Sequence, residues 1–507
     1  MMGKVLPFET LAATCQTLRE QGHKVVLCHG CFDLLHLGHI RYLRQAALLG
    51  DVLIVTVTPD RYVDKGPNRP AFPEALRAEA VASLEMVAYV AVNSWPTAEN
   101  TLRALRPDVY VKGSDFKQGV ASDPTGKLAA EAAVAEEIGT TVRFTEEIVF
   151  SSTNLINRFF SSFSEEGQEY LHLFRQRFGL DTVTAALSRL ANLKVLVIGD
   201  IILDEYQYCH ALGTSTKEAI LCVQHDSTDL FAGGVLAIAN HLANFAGETR
   251  LFSIYGGEAA TRAFITDHLH PSIRETLFVQ DGAPTTVKRR FVDGYSMNKL
   301  FEVYCMDDRG LSPEKQTAFQ AAVEEEIDRY DLVLAADFGH GCLNDALRRM
   351  LCDKARFLAV NTQANASNRG FHTIGRYPRC DYASLTEHEL RLDQRNLQSD
   401  VHRMMQTVGT RLQTTYLLLT RGKKGCVARN AAGAFYEIPT FAQTVVDRVG
   451  AGDAFLSVAS LLAANREEAE LVGFVGNCAG SLAVNIVGNQ RSIERHALEK
   501  FITLLLK

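Results

Sequence analysis

No apolar run in this sequence reaches the roughly 18 residues that a membrane-spanning helix needs. The opening stretch, MMGKVLPFETLAATCQ, lacks the basic start and apolar core of a signal peptide, which predicts a cytoplasmic protein without membrane attachment. Basic excess is missing too: 52 Lys and Arg stand against 59 Asp and Glu, a net charge of −7 with no block of like charge, so no nucleic-acid partner is expected. The 11 cysteines, an odd number scattered from Cys15 to Cys478, form no disulfide framework and suit a reducing compartment. No short period repeats, which argues against a solenoid.

What remains is an ordinary globular composition, 47% apolar and 22% charged, over 507 residues, enough for two or three domains. Short β-branched runs alternate with helical stretches, the pattern of an α/β protein with parallel sheets and crossover helices. KVVLCHG, DVLIVTVT, MVAYVAVN, PDVYVKG and TTVRFTE read as five strands of a first domain over residues 1–160. Residues 161–190 read as a linker and leading helix, and KVLVIGD opens a larger second domain over 191–507.

Within the first domain, CHGCFDLLHLGH (28–39) packs two cysteines and three histidines into twelve residues. As a zinc site its Cys and His pairs stand too close for the chain to fold back around an ion. As a phosphate site it fits better: a strand, a loop with Gly30, then a helix opening near Leu37. His36 and His39, i and i+3, project from one side of a first turn whose free N–H groups attract anions. Gly38 lets a phosphate chain approach the backbone.

GCFDLLHLGH resembles the HxGH signature of the cytidylyltransferase-like nucleotidyltransferases, and KGPNRP (65–70), VKGSDF (111–116) and SSTNLI (151–156) follow in that family's order. The resemblance implies a Rossmann-like domain in which His36, His39 and Lys112 act on a triphosphate. It also implies that Gly30, Phe32, Asp33, Gly38 and the Ser151, Ser152, Thr153 turn bind the nucleotide, with Lys65 and Arg69 closing over it. A phosphate oxygen of one substrate then attacks the α-phosphorus and pyrophosphate leaves, with Mg²⁺ bridging the phosphates.

Near the C-terminus, VVDRVGAGDAFLSVASLLAA (445–464) sets a GAG turn before a helix with Asp453 on its first turn. Such a turn offers N–H groups to an anion, and a carboxylate beside it can take the proton of an attacking hydroxyl. Standing alone, Asp453 would read equally well as a residue serving the helix dipole. VLVIGDIILDEY, the Gly pair of FAGGVLAIAN and the TxGxxG of TRGKKG accompany it, and together they resemble the ribokinase-like (PfkB) sugar kinases. The resemblance implies Asp453 as catalytic base and Gly450, Ala451 and Gly452 as anion hole. Thr420, Gly422 and Gly425 would belong to the ATP site, Glu387 to indirect Mg²⁺ binding, and Asp200, Asp204, Gly233 and Gly234 to the sugar. Lys288 and Arg290, in KRR, offer charge for a substrate phosphate, the rival reading being a solvated strand edge. A metal reading of His340 and Cys342 carries little weight.

VLVIGDIILDEY, PTTVKRRF and NCAGSLAVNIVGNQRS further resemble the bifunctional heptose-phosphate kinase/adenylyltransferases, with the domain order inverted. Departures from the kinase pattern are Ala237 in place of Asn, Asn361 in place of Asp, Ser384 in place of Asn and Arg448 in place of Thr. The expectation is an enzyme that phosphorylates a sugar phosphate at its anomeric hydroxyl with ATP and Mg²⁺, then joins the 1-phosphate to a nucleotide, as a homodimer. The alternatives are CTP as nucleotide donor, another sugar or polyol, and a kinase fold retained as a non-catalytic binding or dimerisation module.

Overall fold

The computed structural model describes residues 4–63, 70–113, 127–145 and 164–506, and the chain divides into two compact units, 1–162 and 163–506.

In the first unit, five parallel strands take the order β3-β2-β1-β4-β5: β1 (Val25–Gly30), β2 (Val52–Val57), β3 (Tyr89–Val92), β4 (Val109–Lys112) and β5 (Thr141–Phe144). Their continuous Val, Leu and Ile runs follow from burial on both faces. Val26, Cys28, Val55 and Val111 pack on one side with Leu43 and Val81, and Val25, Leu27, Ile54 and Tyr110 on the other with Leu102 and Val134.

The second unit is built on β6 (Lys194–Thr214), a 21-residue strand that serves two sheets in succession. Its first part, Lys194–Asp200, lies between β8 (Glu248–Tyr255) and β12 (Leu332–Asp337), all parallel. The parallel order continues through β13 (Leu358–Thr362), β14 (Tyr382–Thr386) and β15 (Tyr416–Thr420), and β9 (Arg274–Val279) flanks β8. An antiparallel edge, β16 (Cys426–Asn430) and β17 (Phe435–Ile438), closes that side. Past Asp200, β6 runs out of the core and pairs instead with β7 (Leu221–Gly234) and β10 (Thr286–Asp293), which carries β11 (Lys299–Cys305). Exposure rises toward the far end of β6, as befits a sheet with one open face.

Helices Glu165–Arg177 and Leu180–Arg189 belong to the core of this unit. Phe174 stacks on Phe474 at 4.1 Å, and Phe178, Val183 and Leu187 are buried beside it. Each such side chain contributes roughly 1.5–3 kcal/mol of burial. Among the described residues no helix is long and apolar enough to cross a membrane.

Candidate active sites

In the first unit the strand order reverses between β1 and β4, and open α/β sheets take ligands at the carboxyl ends of strands beside such a switch. β1 ends at Gly30, and the helix Leu37–Ala47 starts with His36 as its N-cap in extended conformation. His36 Nδ1 accepts the N–H of Gly38 at 3.0 Å, which places the proton of the neutral ring on Nε2. Burial lowers the pKa of His36, so the neutral ring prevails at pH 7. The His36 and His39 rings stack with centroids 4.0 Å apart, and Phe32 meets His39 edge-on at 5.2 Å. Phe32 holds a left-handed backbone (φ 48°), and its ring lies over Gly30, where a Cβ would stand 3.2 Å away. The expected pair is therefore assembled at the mouth of the helix.

The loops around the pair are tied by two buried charges. Asp33 accepts the backbone N–H of Ala71. Arg77, 1% exposed, donates to the carbonyls of Cys31, Thr58 and Phe72 and to Asp60. Cys28 is core, its thiol pushed up to about 12 by burial.

Lys112, expected on a triphosphate, ends β4 and is engaged within its own domain. β4 alternates, so Tyr110 and Lys112 share the face that packs under helix Lys127–Glu137, and there the Lys112 ammonium pairs with Glu131 at 2.6 Å. Tyr110 donates to the same carboxylate at 3.0 Å. His29, on that face of β1, shares hydrogen bonds with Thr56 (2.9 Å) and Thr58 (3.4 Å), and its pKa falls to about 4 through burial and then the Lys112 charge. His29, Arg77 and Glu131 carry weight that the motifs did not indicate. The signals were a histidine near the end of a buried strand and an arginine at apolar spacing in EALRAEAV. Lys65, Arg69, Ser151, Ser152 and Thr153 lie outside the described residues.

In the second unit the helix Ala451–Ala464 opens on Gly450, whose φ of 82° favours glycine. Beside Gly452 there is open space, and Asp453 follows on the first turn. Burial pushes the Asp453 carboxyl up to about 7; Asp204 adds to the rise and Lys288 opposes it. Register brings these partners together, since β6 and β10 align Asp204 with Lys288 and Tyr206 with Arg290. Asp204 pairs with Arg290, which also donates to Glu302 at 2.9 Å. The carboxylate of Asp204 lies so close to Gly233 that a Cβ there would stand 2.1 Å from Oδ2. Lys288 is 6% exposed and makes no ion pair among the described residues, and burial lowers its pKa. Arg289 points to the opposite face and pairs with Glu205. The KRR run is thus split, with two charges inside and one at the surface.

Other expected residues are spread along the carboxyl ends of the strands. The carboxylate of Asp200 accepts the backbone N–H groups of Phe338, His340 and Cys342 (2.9–3.2 Å), so it anchors the loop after β12. Gly234, positive in φ, caps helix Val235–Ala243, where Ala237 is buried. Thr420 ends β15, and Gly422 and Gly425 both take positive φ in the turn behind it. Glu387 accepts from Arg391 at 2.7 Å and Arg421 at 3.2 Å, and those charges hold its pKa down. Two departures from the kinase pattern meet: Asn361 pairs in register with Ser384, and its Nδ2 donates to the Ser384 carbonyl at 2.9 Å. Arg448 is exposed. Among the described residues no cluster of three metal-ligating side chains occurs, and His340 pairs with Asp308 at 2.8 Å.

A histidine pair at the switch point of one parallel sheet, and a glycine turn with a buried carboxylate on a second, larger one, define a class: a nucleotidyltransferase-like domain joined to a carbohydrate-kinase domain. Residues 192–495 match the pfkB family carbohydrate kinases, and the chain belongs to that family. Residues 27–158 match the cytidylyltransferase-like family. Curated relatives named "Bifunctional protein HldE" are similar over part of the chain. The one from Nitratiruptor sp. is 40% identical over 133 residues, 26% of this chain and 27% of the relative. The one from Helicobacter pylori (strain G27) is 45% identical over 115 residues, 22% and 24%, and the one from Geobacter metallireducens is 34% identical over 169 residues, 32% of each. The chain thus covers about a quarter to a third of these relatives' length. Phosphofructokinase-2 from Escherichia coli in complex with substrates and products superposes with a TM-score of 0.51 at 13% identity, over 62% of this chain and all of that one, which shows the fold.

Proposed function

We propose that the chain activates a sugar in two reactions. In the kinase domain the anomeric hydroxyl of a heptose 7-phosphate attacks the γ-phosphorus of ATP, its proton passes to Asp453, and ADP and a heptose 1,7-bisphosphate form; a separate hydrolysis of the 7-phosphate must then supply the substrate of the second reaction. In the transferase domain the phosphate oxygen of a sugar 1-phosphate attacks the α-phosphorus of ATP, giving an ADP-sugar and pyrophosphate.

The observation that carries the reading is the set of Asp453, Asp204 and Lys288 behind the Gly450–Gly452 turn. A carboxyl near 7 is matched to taking a hydroxyl proton at neutral pH, and the N–H groups of the turn suit the transferred phosphoryl. Lys288, buried and without an ion-pair partner among the described residues, supports contact with a phosphate more than Arg290, which Asp204 and Glu302 already engage. In the transferase domain, neutral His36 with a donor at Nε2 suits a phosphate oxygen.

Magnesium would reach both sites on the triphosphates, whose oxygens would hold it together with retained waters. Glu387, held between two arginines, fits an outer role. When bound, the ion neutralises charge on the transferring phosphates.

Heptose rests on the sequence resemblance, and the relatives' name supports two activities on one chain. The altered positions Ala237, Asn361 and Ser384 favour, as second reading, another sugar or a polyol, with the Asn361 bond to Ser384 keeping that altered pair satisfied. A homodimer completes the proposal, checked by light scattering. ATP consumption and pyrophosphate release with heptose 7-phosphate and heptose 1-phosphate as separate substrates test the two halves.

A further inference from the structure

Six residues before Asp453, the carboxylate of Asp447 gathers four donors. Tyr206 donates at 2.6 Å, Lys299 at 2.5 Å, the N–H of Gly488 at 2.9 Å and the N–H of Val449 at 3.2 Å. Asp447 is 5% exposed and Tyr206 fully buried, so the Tyr206 and Gly488 bonds are sheltered from water and worth more than surface contacts, while the Lys299 side chain, 29% exposed, reaches the carboxylate from the rim. Tyr206 comes from β6 and Lys299 from the start of β11, while Val449 and Gly488 flank the turn that Gly450 closes. Around them Tyr206, Phe231 and Val292 form a small core against which Val449 and Val487 pack. The smaller sheet is thereby fastened to the phosphate-binding turn at one charged point.

The same sheet carries the substrate-side charges. Lys288, Arg290 and Val292 occupy one face of β10, and Val292 pairs across the sheet with Lys299. Without Lys299, a buried carboxylate would keep three donors and lose the one cation that pairs with it among the described residues, which costs the turn its alignment before it costs the core its packing.

We propose that Lys299 is a positioning residue of the kinase: through Asp447 it sets the Gly450–Gly452 turn, so that order in the sugar-binding strands is passed to the phosphate-binding N–H groups. It touches neither substrate. This inference rests on the kinase reading above.

The test uses the full chain with Lys299→Met and, as conservative variant, Lys299→Arg. Hydrogen exchange of the amides 449–453 and 488 needs no sugar; Lys299→Met should speed it about tenfold or more, and Lys299→Arg should restore it. With heptose 7-phosphate and Mg-ATP, Lys299→Met should lower kcat by about tenfold while the KM for the sugar phosphate moves less than about threefold. Pyrophosphate release by the transferase domain should not change. Wild-type exchange at 449–453 in Lys299→Met overturns the proposal, as does an undiminished kcat. A wild-type chain that consumes no ATP with this sugar counts against the heptose reading alone, and the exchange result then decides the role of Lys299.

Discussion

Gly450 lies against the side chain of Asn489, so close that a Cβ on Gly450 would stand 2.0 Å from Oδ1. Together with its φ of 82° this leaves little room for a side chain at the first position of the Gly450–Gly452 turn. Gly450→Ala should therefore displace the turn, costing about 1–2 kcal/mol in backbone strain and lowering kinase turnover by about tenfold or more. Gly452→Ala meets open space, so the fold should keep its melting temperature while the new methyl intrudes where phosphate would lie. Thermal melts with ATP kinetics separate the two variants: both lose turnover, and only the first loses stability.

The raised carboxyl of Asp453 predicts a pH profile. As a base it must be ionised, so kcat/KM for phosphorylation should rise about tenfold per pH unit up to about 7 and level off above. Stability runs the other way. The unfolded carboxyl titrates near 3.8 and the folded one near 7, so the folded chain holds the proton more tightly; stability present below pH 3.8 fades as pH rises through 7. Asp453→Asn should abolish ATP consumption by orders of magnitude, and its melting temperature should gain on wild type between pH 4 and 7, then run parallel.

His36 has two duties that substitution can separate. Asn at an N-cap still accepts a backbone N–H, so His36→Asn should keep the helix Leu37–Ala47 and abolish pyrophosphate release. His36→Ala should lose both the activity and about 1 kcal/mol of cap energy. Full pyrophosphate release by the Asn variant would remove the imidazole from the reaction.

Glu131 neutralises Lys112 inside the first unit, where both side chains are nearly inaccessible. Glu131→Gln leaves a buried ammonium without its counter-charge, which costs about 3–5 kcal/mol. The transferase domain should melt at lower temperature while ATP consumption by the kinase domain persists. Calorimetry of the full chain reads both transitions.

Much of this was legible in the sequence. All five strands of the first sheet lie within the runs that were singled out, because fully buried parallel strands are written as unbroken β-branched stretches. The helix opening at Leu37 and the GAG turn before Asp453 were legible for the same reason: glycine and capping positions are local signals. β14 and β17 carry no such signal, since YASLT and FYEI are too short and mixed to stand out from loops. The extent of β6 beyond Asp200 was also hidden, because its outer half, exposed on one face, no longer reads as a buried run. Lys112 shows the limit for sites. Its motif indicated a strand end at the crevice, but the partner that holds its charge, Glu131, comes from a helix 19 residues later, and no spacing rule links the two. The split of Lys288 and Arg290 from Arg289 follows from strand alternation along β10.

Mass spectrometry of the products from purified chain tests the central claim most directly, with heptose 7-phosphate and heptose 1-phosphate supplied separately alongside Mg²⁺ and each of the four nucleoside triphosphates. The account predicts a heptose bisphosphate with ADP from the first sugar, absent in Asp453→Asn, and an ADP-heptose with pyrophosphate from the second, absent in His36→Asn. Neither product with any triphosphate, or both products undiminished in the two variants, would contradict it.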